Sequence, residues 1–66
     1  MNESLVYSAM MNEIEELEGD TNCRSLAENA AHLFNHDEWL DNELHAVWEI
    51  AQRVYSNFRE ENGLSQ

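Results

Sequence analysis

The sequence has no lysine and no proline, a single cysteine, two glycines and no apolar run longer than three residues. Each shortage excludes something. With Arg24, Arg53 and Arg59 as the only cations, the chain has little with which to neutralise phosphates, so direct binding to nucleic acid is disfavoured. An anionic membrane surface is disfavoured for the same reason. The lone cysteine, Cys23, rules out an intrachain disulfide and fits a reducing compartment. Apolar runs this short cannot span a bilayer. The first residues lack a basic stretch, and Asn2, Glu3 and Ser4 interrupt any apolar one, so no secretory signal is read there. The expected location is cytoplasmic.

What the chain does have is acid. Fourteen Asp and Glu face three basic residues, for a formal net charge of −11. A basic partner is the natural complement of such a surface. The plainer alternative is that the acidity only keeps a small protein in solution. Sixty-six residues make one domain, 1–66, and a core of that size supplies only about 3–5 kcal/mol.

The apolar pattern predicts an all-α fold of three helices, at about 2–18, 22–35 and 38–61. In the first, Val6, Met10, Ile14 and Leu17 recur at spacings of four, four and three. Asn2 is a suitable N-cap, and Gly19 can end the helix in the left-handed conformation. In the second, Leu26, Ala27, Ala30, Leu33 and Phe34 form the apolar face, with Asp20 or Thr21 as cap. In the third, Asp37 is the expected N-cap, and Leu40, Leu44, Val47, Ala51, Val54 and Phe58 keep the helical rhythm. Glu49 and Arg53 are spaced for a helical ion pair.

The apolar arc of the third helix covers roughly 200° when residues are placed every 100°. Twenty-four residues would reach about 36 Å, against a diameter of roughly 28 Å for a compact chain of this size. Width and length together point to a homodimer through this helix, with Leu40, Leu44, Val47, Trp48, Ala51, Val54, Tyr55 and Phe58 at the seam. A monomeric bundle, with the first two helices sharing the arc, is the competing arrangement.

The densest charge is Glu13, Glu15, Glu16, Glu18 and Asp20. Along a helix these carboxylates fall roughly every 2 Å, close to the one charge per about 1.7 Å of duplex DNA. They also gather at a helix C-terminus, where the macrodipole disfavours them. A local rule broken without local compensation often marks function. A second group, Asp37, Glu38, Asp41 and Glu43, opens the third helix, where the dipole accounts for most of it. It joins the first group only if folding puts the two side by side. Trp39, at the edge of the apolar arc, is either an interface anchor or a packing residue at the helix start.

Catalytic and metal chemistry find weaker support. His32 and His36 are four apart, with Glu28 four before His32, yet no complete zinc signature is present. Asp41 and His45 repeat the spacing across the turn. No Glu-x-x-His pair of the di-iron type occurs. Cys23 opens the second helix beside Arg24, which favours a thiolate, but no histidine near it in sequence could act as base. The expectation is therefore a non-enzymatic protein without cofactor or metal. It would inhibit or regulate a basic protein, one that binds DNA or RNA, by imitating nucleic acid. A helical adaptor working through the third helix, and a small histidine-based metal-binding protein, are the alternatives.

Overall fold

The computed structural model describes residues 1–34, 37 and 39–63. Among these residues there are three α-helices and no strand, so the all-α class holds. They are α1 (Glu3–Glu16), α2 (Cys23–Leu33) and α3 (Asp41–Glu61). No helix among the described residues is long and apolar enough to cross a membrane.

Capping chemistry sets the helix starts. The Asn2 carboxamide oxygen accepts from the Leu5 N–H at 3.2 Å, and that of Asn22 accepts from Ser25 N–H at 2.9 Å. Asn22 therefore caps α2, in place of Asp20 or Thr21. The third helix starts at Asp41, with Leu40 as N-cap rather than Asp37. Leucine has no side-chain acceptor, and the end is closed from within the helix instead. The Glu43 carboxylate accepts from the Leu40 N–H at 3.1 Å, which is half of a capping box. The reading of 38–61 thus begins three residues early, and Glu38 lies outside the described residues.

The end of α1 is a Schellman-type turn. Gly19 N–H reaches the Ile14 carbonyl at 2.9 Å, and Glu18 N–H reaches that of Glu15 at 3.1 Å. The left-handed residue that stops the helix is Glu18, at φ 55°, and Gly19 follows at φ 84°. Glycine was expected in the first of these places. Gly19 is needed for a further reason: a Cβ there would lie 2.8 Å from Cε1 of Phe58.

The helices run up, down and up, as short connections between antiparallel neighbours require. The Met1 amino group meets Glu43 at 2.6 Å at one end, and Gly19 packs on Phe58 at the other, so α1 and α3 share a direction. The core is Val6, Met10 and Ile14 from α1, Leu26 and Ala30 from α2, and Val47, Ile50, Ala51, Val54 and Phe58 from α3. Both shorter helices pack along α3, which explains its wide apolar arc. Its length is also accommodated, because 21 residues span about 32 Å and the molecule extends 36 × 19 × 18 Å.

Candidate functional site: an acidic pole

The parallel course of α1 and α3 puts their C-terminal ends together. Glu15 and Glu18 line one open depression with Phe58 and Asn62. Glu15, Glu16, Glu18 and Asp20 are exposed, as are Glu60 and Glu61 on the last turn of α3. Six carboxylates therefore crowd one end of a molecule only 19 × 18 Å in cross-section. For Glu15, Glu16, Glu60 and Glu61 the nearest helix ends are the C-termini of α1 and α3, which disfavour negative charge, whereas Asp20 lies two residues before the N-cap of α2. Glu60 and Glu61 were missed by reading the sequence for local charge density. The signal that could have found them is parity: in a three-helix hairpin, the first and third helices end on the same side.

The other acids take different places. Glu13 is half-buried and accepts a hydrogen bond from the Asn29 carboxamide, tying α1 to α2. Asp41 and Glu43 lie at the opposite end, about 20 Å away by the length of α1. These two members of the second acidic group are therefore not beside the first, and Glu38 lies outside the described residues. Asp37 is exposed, and Trp39 is half-buried against the core just before α3. The Met1 ammonium beside Glu43, and then the Leu40 N–H, hold the Glu43 carboxyl below the usual glutamate range.

The three cations do little to offset the pole. Arg24 pairs with Glu28 at 3.5 Å on α2, with both side chains largely exposed. Arg53 lies over the Tyr7 ring, 5.7 Å from its centroid, and among the described residues it makes no ion pair with Glu49. Arg59 is nearest the pole. It folds back over Tyr55 at 5.4 Å and donates to the Tyr55 hydroxyl at 3.3 Å, with its Nε buried and unpaired.

The residues expected at a dimer seam divide in two. Val47, Ala51, Val54 and Phe58 are buried inside the protomer, against α1 and α2. Tyr55 is half-buried, while Leu40 (68% exposed), Leu44 (40%) and Trp48 (40%) remain open. Leu17, read as part of the α1 face, lies beyond the helix and is 45% exposed. His32 is exposed on the last turn of α2, and His36 lies outside the described residues. No group of three or more His, Cys, Asp or Glu placed to hold a metal occurs among the described residues. Cys23, the first residue of α2, packs its side chain against the core. Comparison with protein-family models, with characterised proteins and with solved structures gave no match, so function must be argued from these residues alone.

Proposed function

We propose that this is a non-enzymatic inhibitor or regulator that presents its acidic pole to the basic surface of a nucleic-acid-binding protein. One observation carries the reading. Glu15, Glu16, Glu18 and Asp20 are exposed, and folding adds Glu60 and Glu61 to the same end. The charges of Glu15, Glu16, Glu60 and Glu61, packed at two helix C-termini, work against local stability. Placing Glu18 in the left-handed region adds to that cost. A patch that repels itself attracts a cationic groove from a distance and accelerates encounter.

Affinity capture with the whole chain tests the reading. The expected catch is a nucleic-acid-binding protein that is released by salt and displaced by competing duplex DNA. A variant with Glu15, Glu16, Glu18 and Asp20 changed to Gln or Asn should lose it. Recovery of the same proteins by parent and variant would contradict the proposal. A second reading, association through α3, has Leu40, Leu44 and Trp48 in its favour, the part of the expected seam that the core leaves exposed.

A further inference from the structure

The acidic pole does not account for an apolar groove of about 210 Å³ between α2 and α3. Its shape follows from residue size. Ala27 and Ala31, one turn apart on α2, keep one side low. Leu44 and Trp48, one turn apart on α3, rise on the other, each 40% exposed. Arg24 and Glu28 stand on the rim, already paired with each other. Leu40, the N-cap residue of α3, comes four residues before Leu44 and is 68% exposed. From Leu40 to Trp48 these residues cover about 12 Å. Two turns of an incoming helix match that length, with side chains at i, i+3 or i+4 and i+7 as anchors.

We propose that this groove receives an amphipathic helix from a cationic partner. Charge selects that occupant over a second copy of the chain. Asp41, three residues before Leu44, is exposed on the same side of α3, and Glu28 lines the groove from α2. A second copy would bring a formal charge of −11 onto another −11. Area argues the same way. Three partly exposed apolar side chains offer a few hundred Å² at most, against roughly 800 Å² on each side of a standard stable interface. Lysine or arginine flanking an apolar stripe would meet the rim acids while the stripe covers Leu44 and Trp48. Aromatic side chains in such positions commonly carry a large share of binding energy. This surface is separate from the acidic pole, so either proposal can fail without the other.

The test uses two synthetic 18-residue Lys/Leu peptides of identical composition. One has its leucines on a single helical face, and the other spreads them around the helix. Binding is followed through Trp48 emission in a Trp39→Phe background and through amide shifts on the whole chain. The one-faced peptide should bind at least tenfold more tightly, shift Trp48 emission to shorter wavelength and move Ala27, Ala31 and Leu44. Leu44→Glu should remove the preference while circular dichroism stays unchanged. Should that variant not fold, Trp48→Ala should reduce the preference in the same way. Neutralising Glu15, Glu16, Glu18 and Asp20 should weaken both peptides alike and leave their ratio intact. Equal binding of the two peptides with Trp48 emission unmoved would overturn the proposal. So would sedimentation showing a dimer of the free chain that Leu44→Glu dissociates, because the second copy would then be the occupant.

Discussion

Replacing Glu18 by glycine should make this protein more stable, and the size of the gain can be worked from the end of α1. Glu18 sits at φ 55°, where a side chain costs about 1–2 kcal/mol relative to the right-handed region. Glycine removes that cost but adds freedom to the unfolded chain, an offset of about 0.4–1 kcal/mol. Removing a carboxylate from the negative end of the dipole returns roughly 0.3 kcal/mol. The net gain is about 1 kcal/mol, or a rise in Tm of about 4–8 °C for a domain of this size. Urea unfolding followed by circular dichroism measures it. Glu18→Gln isolates the charge, and should recover only a few tenths of a kcal/mol. If Glu18→Gly is no more stable than Glu18→Gln, the backbone at this residue is not strained and the account of the turn is wrong. The same change subtracts a charge from the acidic pole, so partner binding should weaken while stability rises.

Further outcomes follow from the same packing. Gly19→Ala should destabilise by about 2 kcal/mol, because the left-handed cost of about 1–2 kcal/mol is joined by a contact with the buried Phe58 ring; urea midpoints check it. Ile14→Ala removes a side chain that is 0% exposed and should cost about 2–5 kcal/mol, enough to leave much of the chain unfolded at 37 °C by circular dichroism. Asn29→Ala should cost about 0.5–1 kcal/mol, because it removes the tie between α2 and Glu13. Glu43, whose folded pKa is depressed, stabilises above the ordinary glutamate pKa and loses that contribution as pH falls through the lower folded value. Acid unfolding of Glu43→Gln should therefore show a weaker pH dependence in that window than the parent.

The sequence was most readable where one helix face does one job. Val6, Met10 and Ile14 are the α1 core, as their spacing requires. The rhythm of Val47, Ala51, Val54 and Phe58 likewise identified buried positions on α3. The covering of that face was harder to read, because a 200° arc can be shared by two short helices or closed by a second copy. The folded chain covers its middle with α1 and α2, and also buries Ile50, which lies outside that rhythm. The start of α3 is hard to read because its N-cap, Leu40, has no capping side chain, and Glu43 reaches back from the third helical position instead. At the candidate site, the dense acids of α1 were visible as a run, but not their grouping. Glu13 is drawn to Asn29, and Glu60 and Glu61 arrive from forty residues further along, through the direction of α3.

The most direct test of the acidic pole is the salt dependence of binding to a captured partner, measured for the parent and for the variant neutralised at Glu15, Glu16, Glu18 and Asp20. Titrations from low to high salt give both affinities and slopes, and urea unfolding of each protein gives stability. The variant should bind more weakly, mainly through a slower on-rate, with a shallower salt slope and stability equal to or above that of the parent. Equal affinity and equal slope for the two proteins would contradict the proposal, and would mean that these carboxylates only face water.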